Sequence, residues 1–291
     1  MKRSAIILIT ILAPLWMTAQ NLPVFSPYMQ ETYCRDKGLR SPQGAAIFGK
    51  YLFQFHDHNP AVAVYDLETR TLAGDMQMTV TKTHHCNNVE FSDNYYRKGD
   101  EFPIVYASME NIAEHCAIGY RITRGPDGNF TARQVQKIVF PTPLEMGVYF
   151  TNIIIDNESG CFYVTGYSKN SWNKVDGGNA LQILKFRMPD PRRKEIVLST
   201  ADILERNVYD FRVATQGATI RNGLMYQVFG VPGYGPCSIC CFNLSEGKKI
   251  WEKDLAEAGI PSEPESLDIY DDEIFVVSVE GIVYASGYKI K

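Results

Sequence analysis

A stretch that occurs twice constrains this chain more than any other feature. Gln43-Gly44-Ala45-Ala46-Ile47 runs through a polar turn into Tyr51-Leu52-Phe53-Gln54-Phe55. Gln216-Gly217-Ala218-Thr219-Ile220 runs through Asn222-Gly223 into Leu224-Met225-Tyr226-Gln227-Val228. In both copies the two glutamines stand eleven residues apart, with no gap. Fixed internal spacing of this kind marks a repeated supersecondary unit. Three more segments take the same register. Glu265-Ser266-Leu267-Asp268-Ile269 passes through Asp271-Asp272 into Ile274-Phe275-Val276. Asn87-Asn88-Val89-Glu90-Phe91 matches the first half, and its second strand, Pro103 to Ser108, is delayed by an insertion from Asp93 to Glu101. Thr151-Asn152-Ile153-Ile154-Ile155 turns at 156–160 into Cys161 to Thr165.

The units therefore begin at 43, 87, 151, 216 and 265, at intervals of 44, 64, 65 and 49 residues. Only 26 residues follow position 265, and the 22 from Asn21 to Pro42 precede the first unit. Together they amount to one more unit, divided between the chain ends. A closed ring accounts for that division, because radial closure protects strand edges that an open stack would expose. The expectation is an all-β, five-bladed β-propeller closed by its N- and C-terminal segments, with Leu22 to Met29 or a neighbouring segment completing the last blade. A β-sandwich of similar strand count would not produce the phased starts. In the first unit the strands fall at Ala45 to Phe48, Leu52 to His56, Ala61 to Leu67 and Leu72 to Thr79. The best helix candidate is Thr200 to Asn207, capped by Ser199 or Thr200.

Residues 1–20 read as a secretory signal peptide: Lys2 and Arg3, an apolar run from Ala5 to Met17, then Thr18-Ala19-Gln20. The run is short for a bilayer span, so no membrane span is expected after cleavage. The expected location is secreted or periplasmic. Residues 21–291 would form a single propeller domain. Its charge, −4 for the whole chain and two units more negative without Lys2 and Arg3, argues against a nucleic-acid partner. The seven cysteines are odd in number, so at least one has no intramolecular partner. Cys237-Ser238-Ile239-Cys240 lies beside an extended run, where small buried side chains are expected rather than a reactive pair.

In a four-stranded blade, the loop entering the inner strand and the loop joining the second and third strands share one face. All five histidines, His56, His58, His84, His85 and His115, fall in such loops, as do Trp172, Tyr149, Tyr167 and Tyr234. The opposite face receives plain turns such as Asp127-Gly128-Asn129. The first face is thus the expected working face. Its candidate ligand-binding residues are Gln43, Asn87, Gln216, His56, His84, His85, His115, Trp172 and Tyr234. The glutamines and other strand-head residues could equally satisfy backbone groups around the channel. A metal ion in or near the channel is a possible cofactor, held by His56, His58, His84 and His85 or by the strand-head oxygens. Carboxylates on this face are Asp57, Glu110, Glu114, Glu145, Asp176, Glu263 and Glu265.

Glycoside cleavage requires two carboxyl groups across a sugar ring, one of them protonated. The candidates are Glu265 at the channel mouth with Glu145 and Glu110 on neighbouring blades. In architecture the chain resembles arabinanase-like five-bladed glycosidases. Their pattern has Asp at the head of the first inner strand, where this chain has Gln43. The stretch Gln43-Gly44-Ala45-Ala46-Ile47 with Phe53-Gln54 and His85-Cys86-Asn87-Asn88 resembles the inner-strand pattern of secreted bacterial propellers in the helveticin and teichoic-acid protein C group. That resemblance covers about the first third of the chain and implies a cell-envelope or extracellular setting. The expected partner is a carbohydrate or envelope polymer, either bound or hydrolysed. Aromatic planes beside amides and carboxylates suit such ligands.

Overall fold

The computed structural model describes residues 22–79, 85–109, 115–174 and 178–290. Strand β1 (Ser26–Gln30) is followed by a single turn, α1 (Tyr33–Asp36), and then by the first complete blade. That blade is β2 (Pro42–Phe48), β3 (Tyr51–His56), β4 (Asn59–Asp66) and β5 (Thr71–Gln77). The second contains β6 (Val89–Phe91), β7 (Val105–Met109), β8 (Cys116–Arg124) and β9 (Phe130–Val139). After the turn α2 (Pro143–Met146), the third blade is built from β10 (Tyr149–Asp156), β11 (Cys161–Tyr167) and β12 (Ala180–Arg187). Strand β13 (Glu195–Val197) returns to lie parallel to β9 as a fifth strand on the second blade. Strand β14 (Glu205–Asp210) completes the third. The fourth is β15 (Thr215–Arg221), β16 (Leu224–Phe229), β17 (Ser238–Asn243) and β18 (Lys248–Asp254). The last runs through β19 (Pro264–Tyr270), β20 (Glu273–Ser278) and β21 (Ile282–Lys289), and β1 pairs antiparallel with β21 as its outermost strand. This is a five-bladed propeller closed by both chain ends.

Each pair of neighbouring blades shares its own apolar layer, five in all. Between the first two blades Phe53 meets the rings of Phe91, Phe102 and Phe130 edge-on, with centroids 5.3, 5.4 and 6.1 Å away. Contacts of that geometry add about 0.5–1.5 kcal/mol each beyond area burial. Inner strands are apolar on both sides because a blade covers each face, whereas β14 alternates between half-buried and exposed.

The expected helix over 200–207 is corrected. Thr200–Asp202 makes one 3-10 turn, closed by Ser199 and Asp202, and the chain then extends as β14. Val208 and Tyr209 favour strand, and pairing with β12 supplies the backbone partners that a short helix would lack. All seven cysteines are free thiols. Burial pushes Cys237 up to about 11 and Cys240 up to about 12, the opposite direction from the depressed thiol of a reactive pair.

Candidate binding site at the channel mouth

The repeated motif is a β-bulge. Register slips at the head of four inner strands: between Pro42 and Ala45, Phe150 and Asn152, Thr215 and Ala218, and Pro264 and Ser266. A bulge bends its strand and re-aims a side chain, and here it turns Gln43, Gln216 and Glu265 toward the axis at one end of the channel. The glycine that follows two of these residues has a steric cause. A Cβ on Gly217 would lie 2.4 Å from Ser266 Cα and 2.6 Å from Leu267 N, and one on Gly44 would lie 2.7 Å from Cys86 O. Adjacent inner strands touch backbone to backbone at these points. The second glutamine of the first copy serves the bulge itself: Gln54 Nε2 donates to the carbonyls of Gln43 (2.9 Å) and Phe55 (2.9 Å).

The remaining strand heads lock the ring across its axis. Asn88 Nδ2 donates to Ile153 O (2.7 Å) and Ala218 O (3.1 Å), while its Oδ1 accepts from Ala218 N (2.9 Å). Asn87 donates to Thr215 O and Asn152 to Gln216 O. Beside them lie Glu90, buried, and Asp268, half-buried, each hydrogen-bonded to the Thr219 hydroxyl. Burial pushes Glu90 well above the usual carboxylate range and Asp268 up to about 7.

Above this layer opens a cavity of about 880 Å³. Gln43, Asn87, Thr215, Gln216, Glu263 and Glu265 form its polar floor, and Tyr149, Tyr167, Trp172, Leu144 and Val231 contribute to its walls. Gln43 Nε2 donates to Glu265 Oε2 (3.0 Å), and Gln216 Nε2 donates to Glu263 Oε1 (3.0 Å). The carbonyl oxygen of the Gln43 side chain, itself buried, has no protein partner. Glu265 is 3% exposed, and burial, reinforced by the charges of Glu263 and Asp57, raises its carboxyl well above the usual range. Burial also raises Glu263, against the opposing pull of His85 and the Gln216 amide. Two acidic groups, two residues apart, thus have their pKa values raised beside open space, Glu265 the more strongly.

The expected working face and the cavity coincide. His58, His85 and His115 line it with Gln43, Asn87, Gln216, Trp172 and Glu265. His58 and His85 both direct Nδ1 at Asp57 Oδ1, His85 at 2.7 Å, and Arg40 approaches Asp57 Oδ2 at 3.3 Å. Burial raises Asp57, but the two imidazoles outweigh it and hold the group below the usual range. One ligand atom from each of Asp57, His58 and His85 lies within 4.8 Å of the others, so this trio could hold a metal ion. Burial lowers His115 below the ordinary imidazole value. Trp172 and Tyr234, 42% and 57% exposed, pack edge to face with centroids 5.2 Å apart, and Trp172 carries that pair to the cavity rim.

Three of the described candidates do not line the cavity: Tyr234, which meets it only through Trp172, and His56 and Glu145. His56 ends β3 with its ring fully buried, apart from His58 and His85 and beside Glu31 and Cys34. It therefore does not join the other imidazoles as a ligand set. Glu145 is the reciprocal cap of α2, where Thr142 N and Thr142 Oγ1 donate to its Oε2 at 2.9 and 2.8 Å. Those hydrogen bonds lower its pKa, the wrong direction for a proton donor. His84, Glu110, Glu114 and Asp176 lie outside the described residues. Glu263 gains most from the structure; its place two residues before Glu265 was the signal in the sequence.

Fold and site define a five-bladed propeller with a carboxyl- and amide-floored axial cavity. No protein-family model matches the chain, and no curated protein matches it in sequence. Among solved structures it is similar to glutaminyl cyclase from Myxococcus xanthus, with 9% identity over 91% of this chain and 97% of that one and a TM-score of 0.51. It is also similar to BamB from Moraxella catarrhalis (8% identity, 83% of each chain, TM-score 0.39) and to a luciferin-regenerating enzyme (10%, 89% of this chain and 78% of that one, 0.44). At these identities the likeness is one of fold.

Proposed function

We propose that the chain is exported and that its axial cavity binds a saccharide belonging to a cell-envelope or extracellular polymer. One observation carries this reading: a floor of amide–carboxyl pairs, with an unpartnered Gln43 oxygen, lies under a wall of aromatic rings. A sugar hydroxyl both donates and accepts, so it complements a carboxyl beside an amide, and its C–H faces suit Tyr149 and Trp172. The apolar run at 5–17 and the motif resemblance to secreted propellers support the setting. Among the described residues no helix is long and apolar enough to cross a membrane. Calorimetric titration of the mature chain with a panel of neutral and uronic-acid oligosaccharides tests the proposal. Binding should occur and should weaken at least tenfold, about 1.4 kcal/mol, in Gln43→Ala. A panel without any binder, or binding indifferent to Gln43, would refute it.

A second reading, glycoside hydrolysis, is favoured by the state of Glu265. A carboxyl whose pKa burial lifts well above the usual carboxylate range suits protonation of a leaving oxygen, and Glu263, two residues away, is the candidate for the second carboxylate. Reducing-end release from the oligosaccharides that bind decides between the two. Turnover abolished in Glu265→Gln while binding persists would establish hydrolysis; no turnover by the wild type leaves a binding module.

A further inference from the structure

Where β1 closes the ring, three reactive side chains meet in a dry place. Glu31 follows β1, Cys34 lies in α1 and His56 ends β3 of the next blade, and they are 4%, 6% and 0% exposed. One carboxylate oxygen, the Sγ and one ring nitrogen lie within 4.8 Å of one another. His56 Nδ1 is 3.1 Å from Ala61 O. A carbonyl can only accept, so Nδ1 carries a proton and Nε2 is left as the nitrogen available to a ligand. That Nε2 has no hydrogen-bond partner and stands 3.7 Å from Glu31 Oε1. A lone pair facing a carboxylate in apolar surroundings is costly unless a cation lies between them.

The surroundings fix these groups in place. Tyr65 O–H donates to Glu31 Oε1 (2.8 Å), as does Cys34 N–H (2.8 Å). Tyr65 accepts in turn from Thr32 N (3.1 Å) and Tyr33 N (3.0 Å), and the Tyr33 ring packs on His56 with centroids 5.6 Å apart. An imidazole whose far nitrogen donates to a backbone carbonyl, and a carboxylate held by a hydroxyl and an N–H, form the outer shell typical of metal ligands. The Asp57–His58–His85 trio differs, because there both Nδ1 atoms already have Asp57 as a partner.

We propose that Glu31, Cys34 and His56 form a site for one zinc-class divalent ion that staples the closing strand to the first blade. The ligands are a Glu31 carboxylate oxygen, the Cys34 thiolate and His56 Nε2, and binding releases the thiol proton to solvent. A thiolate with an imidazole selects Zn²⁺ over the oxygen-seeking Ca²⁺ and Mg²⁺. The ion joins segments on either side of the ring closure, so it stabilises the folded chain by mass action. At a hundredfold excess over its dissociation constant the melting temperature should rise by about 5 °C.

The test uses the full mature chain, reduced and stripped with a chelator, then titrated with Co²⁺. The expected result is one equivalent bound, with a sulfur-to-cobalt charge-transfer band that is absent in Cys34→Ser and an intensity loss in His56→Gln. Zn²⁺ should displace the Co²⁺ and raise the wild-type melting temperature. Absence of a charge-transfer band in the wild type, or an unchanged band in Cys34→Ser, would overturn the site. The wild-type spectrum decides even if a variant fails to fold. Saccharide binding plays no part in this readout, so the site stands or falls independently of the cavity.

Discussion

Replacing Gly217 with alanine adds one methyl where two inner strands touch. Its Cβ would stand 2.4 Å from Ser266 Cα and 2.6 Å from Leu267 N, while carbon atoms rest comfortably at about 3.5–4.0 Å. The obstructing atoms are backbone, so no side-chain rotation relieves the clash. β15 and β19 must separate by about 1 Å at a point where Asn88 also spans the channel. Overpacking of this kind costs about 1–3 kcal/mol, and rigid backbone on both sides places this case near 3. With an unfolding entropy of about 2.1 cal/mol/K per residue over roughly 270 residues, the melting temperature should fall by about 5 °C. The assay is thermal unfolding by circular dichroism, with Gly125→Ala as control. A Cβ on Gly125 meets the movable Asp127 carboxylate at 2.6 Å and backbone only at an ordinary 3.6 Å (Asn129 O), so the control should melt within about 1 °C of the wild type. A Gly217→Ala protein melting with the control would refute the claim that backbone contact dictates the repeated glycine.

Asp268 makes the protein less stable as pH rises. Burial raises its folded pKa to about 7, above its unfolded value, so the folded state holds a proton that the unfolded state has released between about pH 4 and pH 7. The Asp268 contribution to stability should fall across that window, by up to about 4 kcal/mol, and level off above it. Denaturant titrations of Asp268→Asn at pH 5 and pH 8 should show most of that dependence gone; an unchanged dependence would refute the assignment. Tyr65→Phe removes the hydroxyl that joins Thr32, Tyr33 and Glu31, and should cost about 2–3 kcal/mol in the same assay. Trp172→Ala, at a 42% exposed position, should leave the melting temperature within about 1 °C while weakening saccharide binding about tenfold. Parallel loss of binding and stability would contradict its place on the rim.

Phasing of the strand heads was enough to read the blade number and the closure, and it grouped the loops that meet at the cavity. Those features follow from a repeated hairpin that must bury both faces, and burial imprints a pattern on sequence. The bulge left a subtler mark, Gln-Gly followed eleven residues later by Gln, whose cause was visible only in space. Gln43 contacts a carboxyl, Gln54 satisfies the bulge carbonyls, and Gly44 clears the Cys86 carbonyl. His56 shows where loop assignment fails: it sits beside His58 in the chain, but strand pairing sends its ring into the blade interface. Glu145 fails differently, since a Thr-Pro-Leu-Glu capping box is local chemistry that competes with any role at the cavity. The helix expected at 200–207 yielded to pairing with β12, a tertiary effect that local propensity does not register.

A crystal structure of the chain soaked with the tightest-binding oligosaccharide from the titration panel decides whether the axial cavity is a saccharide site. A sugar ring seated over Gln43, Gln216, Glu263 and Glu265, with Trp172 or Tyr149 against its face, is the predicted result. A saccharide bound on the opposite face, or on the outer strands with the cavity unoccupied at saturation, would contradict it.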